Sequence, residues 1–305
     1  MPIASFVTSE NNSAPYVTIT EVLNSPTAAS LDFTSLIPGG TNAQQTAALQ
    51  DMIYRASAKA DNYCLGAMGT LCATSNVENG RYRPNRLGQF VIHPQYWPIL
   101  EVDSFAYGTT PGSGMQAITL TDTNTSIERH QFIITSDFGI STVTQFGSLN
   151  LVAGGFPGDY EQFCQWTYVN GFANTFVTSG AEAGDGGVEV DNLTGIYPGM
   201  TLTIWDGQYT EQIVVESAAT NFITTKSALK YAHSTGVNVS ALPATVKQAV
   251  IHFVCAMVTE RGAGGLVLSE VGESVGVSNK TLNAEWHESS GYDLLDDFKQ
   301  IWGRS

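Results

Sequence analysis

Charge is what this 305-residue sequence has least of: charged residues make up 13% of it, about half the usual quarter. Basic residues are scarcer still, with 13 Lys and Arg against 28 Asp and Glu and a formal net charge of −15. Such a surface has no electrostatic footprint for gripping nucleic acid or anionic lipid. Two readings of the acidity stay open: plain solubility, or a passage that DNA traverses without sticking, because like charge repels the phosphate backbone. The four cysteines, Cys64, Cys72, Cys164 and Cys255, include no CxxC, so neither a disulfide framework nor a paired metal motif is indicated. Cys64 and Cys255 fall on apolar helical faces, where free cysteine behaves as a small buried hydrophobe. No apolar run approaches the length of a membrane span. The opening MPIASFVTSENNS lacks the basic region and apolar core of a secretory signal. The acceptor-like triplets at Asn11, Asn124, Asn192 and Asn238 then read as chance matches.

Hydrophobic residues make up 43% of the chain, enough for one large domain or two modest ones. Residues 1–41 read as an irregular N-terminal segment. From Asn42, taken as the cap, Leu49, Met52, Ile53, Ala56, Ala60 and Tyr63 recur at three- and four-residue steps and predict a helix over about 42–64. From Gly88 to Gly171 short branched and aromatic runs alternate with Gly, Pro, Asn and Asp, as strands and turns do. SGAEAGDGG, ending at Gly187, reads as a flexible link. The run after it predicts a second β block, with Asp206-Gly207 as a hairpin turn. Pro243 opens a helix over about 243–261, where its missing N–H costs nothing. Leu294, Leu295, Phe298, Ile301 and Trp302 share one face of a last helix, about 291–302. Gly262 to Gly291 shows no clear period, and loops that long are functional or disordered. The fold class expected is α+β: a helical core with β strands over 42–179 and 243–305, and a small β-barrel or β-sandwich module inserted at 180–242.

Several motifs tempt toward enzymology and fail on context. Gly272-Glu273-Ser274-Val275-Gly276 matches a nucleophile elbow, but no βαβ series surrounds it, and Glu285 and His287 follow too closely for a hydrolase fold. Asp122, Asn124, Ser126 and Glu128 imitate the start of a calcium loop, yet its sixth and twelfth positions are Ile127 and Ile133. His93, His130, His233, His252 and His287 never pair at ligand spacing along the chain. Lys280-Thr281 has no Gly before it and is no phosphate loop. Asp296 and Asp297 diverge on a helix rather than forming a catalytic pair. No catalytic residue, cofactor or metal is therefore assigned, and the chain is expected not to be an enzyme. Trp97, Trp166, Trp205 and Tyr209 stand as candidates for a sugar-stacking platform in a carbohydrate- or receptor-binding module.

The order of segments carries a resemblance. TAALQDMIYRASAKADNYC is followed by RLGQFVIHPQYWPILEVDSFAYG, a strand ending QWTYVNGF, then ALPATVKQAVIHFVCAMVTERG and a terminal DLLDDFKQIW. Over about residues 42–305 this series resembles the head-to-tail connector (adaptor) proteins of tailed bacteriophages. It is most similar to the larger forms of actinobacteriophages, which carry an extra β module like GIYPGMTLTIWDGQYTEQIVV. The resemblance implies a virion protein of the neck, assembled in the host cytoplasm as a homo-oligomeric ring of roughly a dozen copies. Its implied partners are the portal protein on one side and a stopper, tail-terminator or tail protein on the other, with double-stranded DNA passing through unbound and no membrane involved. A tail terminator, tail protein or capsid decoration protein is the alternative within the same biology.

For such a ring the candidate residues are interface residues. Leu294, Leu295, Phe298, Ile301 and Trp302 are candidates for docking on the portal or a neighbouring subunit, with packing inside the protomer as the alternative. Leu266, Val267 and Leu268 are candidates for an arm contact with a neighbouring subunit, with a surface hairpin packed on its own domain as the alternative. Asp293, Asp296 and Asp297 are candidates for an acidic rim facing the channel.

Overall fold

The computed structural model describes residues 15–34, 36–66, 69–85, 88–109, 111, 114–135, 161–261 and 279–299. Its strands are all antiparallel and its helices lie mostly outside the β regions, so the fold is α+β. Contacts divide the described chain into two units, one within Ala73–Gly171 and one built from Asn12–Cys72 with Phe172–Ser305. The β module groups with the helices in the second unit.

In the first unit β1 (Thr74–Tyr82), β2 (Gln89–Ile92), β3 (Ile99–Gly108), β4 (Gln116–Ile118), β5 (Thr125–Ile127), β6 (Phe132–Thr135) and β7 (Gln162–Asn170) make two sheets. Their orders are β1-β7-β3-β4 and β2-β6-β5. Alternation does the sorting. In β2 Phe90 and Ile92 are buried while Gln89 and Val91 are half-buried, and β6 repeats the pattern with Phe132 and Ile134. These side chains meet Phe105 and Trp166 in one core. Glu78 of β1 is buried there too, and its carboxylate accepts from the Tyr168 hydroxyl at 2.5 Å and from the Gln95 amide at 3.1 Å.

The second unit begins with the short helix α1 (Ile19–Asn24), closed by a capping box between Thr18 and Glu21. Helix α2 (Asn42–Leu65) is capped by Thr41, not Asn42: its hydroxyl accepts from the Gln44 amide while Gln44 reaches back to the Thr41 N–H. The reciprocal Thr-x-x-Gln pattern is the stronger signal, since it satisfies two orphan donors instead of one. Gly66 ends the helix at φ +74, a conformation that favours glycine. Leu49, Met52, Ile53, Ala56 and Ala60 form the buried stripe as the spacing predicts.

Strands β8 (Asn174–Ser179), β9 (Gly187–Val190), β10 (Thr201–Trp205), β11 (Glu211–Ala219), β12 (Phe222–Thr225) and β13 (Asn238–Ser240) close into a barrel in the order β10-β11-β12-β9-β8-β13. Closure leaves no free sheet edge. Inward residues such as Leu202, Ile204, Val215 and Ile223 are fully buried. The hairpin at Asp206-Gly207 is present, but its loop runs through a 3-10 turn at Gly207–Tyr209. The tight turn lies elsewhere: Thr220 and Asn221, at φ +53 and +60, join β11 to β12 as a two-residue type I′ turn requires.

Pro243 caps α3 (Ala244–Glu260), which is buried on nearly every side, from Val246 through Phe253 to Val258. The last helix, α4, spans Asn279–Leu295 and passes into a 3-10 turn at Asp296–Phe298. The expected helix at 291–302 therefore begins a dozen residues too late, since the stretch before Gly291 has no apolar period from which to read it. Helix α3 packs against both α2 and α4. At Gly291 the packing is close enough that a Cβ would stand 2.5 Å from the Phe253 ring. No helix among the described residues is long and apolar enough to cross a membrane.

Candidate interaction surface and buried polar clusters

The residues singled out on the last helix separate by face. Leu295 is fully buried, while Leu294 and Phe298 are half-buried, with Phe298 edge-on to Phe172 at a centroid distance of 6.4 Å. That is the packing-inside-the-protomer arrangement. Asp293, Asp296 and Asp297 are all exposed, and Asp296 accepts a hydrogen bond from the Tyr63 hydroxyl of α2. Ile301, Trp302, Leu266, Val267, Leu268 and Ser274 lie outside the described residues. The most exposed large hydrophobic side chain among the described residues is one the sequence reading missed: Trp286 of α4, 60% exposed. Elsewhere on α4, Glu288 accepts from Lys59 of α2 at 2.5 Å, and Lys59 stands 5.0 Å from the centre of the Phe253 ring. Arg55, Tyr63 and Tyr292 line an adjoining open groove of about 530 Å³.

The calcium-like segment dissolves into a turn. The Asn124 amide accepts from the Thr121 N–H at 2.8 Å and donates to the Thr119 carbonyl at 2.9 Å, while Glu128 bonds Gln131. Of the aromatic platform, Trp166 is 2% exposed and belongs to a core. Tyr209 is exposed, and its partner is Tyr231, at 5.6 Å between ring centres.

Histidines that look isolated along the chain are brought together by folding. His252 of α3 and His287 of α4 face each other with Nδ1 atoms 3.1 Å apart, so one ring donates and the other accepts. Burial pushes both below the ordinary histidine range, and His252 lowers His287 further. His233 is enclosed between two carboxylates, Asp206 at 3.0 Å and Glu211 at 2.9 Å. Burial would raise Glu211, but hydrogen bonds from His233 and from the Lys230 and Tyr231 amides outweigh it and hold the carboxyl below its ordinary range.

Two further groups are buried in the second unit. Tyr16 is fully enclosed and donates to Asp61, whose Oδ1 also accepts from the Leu71 amide at 2.8 Å. Burial nevertheless pushes Asp61 up to about 6. Lys247, in the first turn of α3, is 3% exposed. Its Nζ donates to Glu21 Oε1 at 2.7 Å and to Asn238 Oδ1 at 2.6 Å, and lies 4.7 Å from the centre of the Trp205 ring. Burial lowers Lys247 to about 8, against the opposing pull of Glu21. No sequence motif marks this cluster, since its members come from four elements: α1, β10, β13 and α3.

All four cysteines are buried as thiols, and burial raises each to about 12, which leaves little thiolate for chemistry or metal binding. Among the described residues no three His, Cys, Asp or Glu side chains gather as a metal site. Comparison with models of known protein families gives no match, and comparison with curated proteins gives none either.

Proposed function

We propose that this chain is a virion structural protein, a head-to-tail connector that forms a homo-oligomeric ring between the portal vertex and the tail of a bacteriophage. The observation that carries the reading is the order of its segments: helix, β region, inserted β module, buried helix and terminal helix, in the series that resembles connector proteins. Other features support it. Helix α3, covered by α2 and α4, makes a stiff scaffold for repeated heterologous contacts, which close into a ring when the rotation allows. Trp286 offers a large exposed aromatic anchor of the kind that dominates interfaces. The net charge of −15, with Asp293, Asp296 and Asp297 exposed, suits a channel that DNA crosses without adhering. Neck reconstruction by electron microscopy of intact particles tests the reading directly: a ring of this chain beneath the portal is expected. Its absence from virions, or a monomer that stays a monomer with portal protein present, would count against it.

A second reading, a carbohydrate- or receptor-binding β module, is favoured by one observation, the exposed Tyr209 and Tyr231 pair on the barrel. Glycan-array binding abolished by Tyr209→Ala would support it.

A further inference from the structure

We propose that Lys247, Asn238 and Glu21 form a self-processing site, at which the Lys247 amine attacks the Asn238 carboxamide to leave an isopeptide bond between α3 and β13. The Lys247 Nζ lies 2.6 Å from Asn238 Oδ1. A carbonyl bond of about 1.23 Å then keeps Cγ within about 3.8 Å of the amine, close to near-attack range. The electrophile is fixed. Strand β13 pairs with both β10 and β8, Asn238 has no exposed surface, and its Nδ2 is claimed by two acceptors, Asn174 Oδ1 at 2.8 Å and the Thr175 carbonyl at 3.1 Å. Those acceptors orient the amide so that its oxygen, and not its nitrogen, faces the lysine.

The nucleophile is prepared as well. An ammonium has no lone pair, and burial lowers Lys247 to about 8, so that about half of it is free amine at pH 8. Glu21 supplies the base. Its Oε1 is 2.7 Å from Nζ, and its Oε2 is held by the Thr18 amide at 2.7 Å, which fixes the carboxylate in place. The exchange balances without a co-reactant. Nζ loses a proton to Glu21 as the Nζ–Cγ bond forms. The Cγ–Nδ2 bond breaks, and Nδ2 takes up the proton that Glu21 returns and departs as ammonia. An adjoining cavity of about 300 Å³, lined by Glu21, Trp205, Lys247 and Gln248 among others, gives the ammonia a way out. The product ties the barrel to α3 without any dependence on redox state.

The test uses the full chain, incubated at pH 8 and examined by intact mass and tryptic mapping. The expected mass is about 17 Da below that of the sequence, the loss of one ammonia. Trypsin should fail to cut after Lys247, yielding one looped Tyr231–Arg261 peptide. Lys247→Arg and Glu21→Gln, each checked for a cooperative thermal melt, should return the full mass. A wild-type chain of full mass, cut cleanly after Lys247, would overturn the proposal. So would a 17 Da loss that leaves Lys247 cleavable and disappears in hydroxylamine, since that marks a succinimide at Asn238. Undiminished crosslinking in Glu21→Gln would overturn the role given to Glu21.

Discussion

Asp61 shows how a single buried carboxyl sets a pH dependence. Its hydrogen bonds from Tyr16 and Leu71 do not fully compensate for burial, and it stands raised to about 6 from an ordinary value near 3.8. A carboxyl raised on folding contributes stability that is full below its unfolded value and lost as pH rises through the folded one. That contribution should therefore disappear between about pH 4 and pH 6. Asp61→Asn keeps the accepting oxygen and removes the charge. It is expected to stabilise by about 1–3 kcal/mol at pH 7.5 and by almost nothing at pH 4. Asp61→Ala should destabilise at both, because Tyr16 and the Leu71 amide lose their acceptor. Thermal melts at the two pH values check the sign. Nothing in the sequence marks Asp61, which sits four residues from the end of a helix among other polar residues. Its partners come from before and after that helix, so only folding supplies them.

At the scale of elements, α2 and α3 were readable because apolar residues recur at helical spacing, from Leu49 to Ala60 and from Val246 to Val258. Helix α4 was only half readable. Its surface carries Trp286 outward and its contacts with α3 use Gly291 and His287, none of which a periodic pattern contains. Two expectations follow at this scale. Gly291→Ala places a Cβ 2.5 Å from the fully buried Phe253 ring, so it should cost about 1–3 kcal/mol despite the better helix propensity of alanine. Denaturant unfolding measures it, and an unchanged midpoint would show that α4 does not pack as described. The second concerns the histidine pair. Both rings are lowered on folding, so the stability they contribute is present above about pH 6.5 and lost as pH falls through their folded values. The amide protection factors of α4, taken against the intrinsic exchange rate at each pH, should fall between pH 7 and pH 5, and His287→Gln should flatten that response.

At the scale of the whole molecule, the proposed ring depends on surfaces rather than on chemistry. Trp286, 60% exposed, is the side chain whose removal tests this most cleanly, because its loss disturbs little of the protomer core. Trp286→Ala is expected to leave the melting temperature within a few degrees of wild type and to weaken self-assembly or portal binding by about tenfold or more. Sedimentation of the variant with and without portal protein reads the effect. Equal assembly by both proteins would remove α4 from the interface.

The sequence by itself determined the α+β class, the two long helices, the hairpin around Asp206-Gly207 and the lack of a paired-cysteine motif. These are local matters, set by period, turn chemistry and spacing within a few residues. Only the tertiary structure decided that six strands close into a barrel, that Leu295 is core, and that His252 meets His287. It also decided that Lys247 reaches Asn238 and Glu21, residues 9 and 226 positions away along the chain. Such meetings are fixed by the burial of strands and helices against one another, which no window of sequence contains. The same burial gives these polar side chains their chemistry, because it strips away the water that would hold them at their ordinary charge.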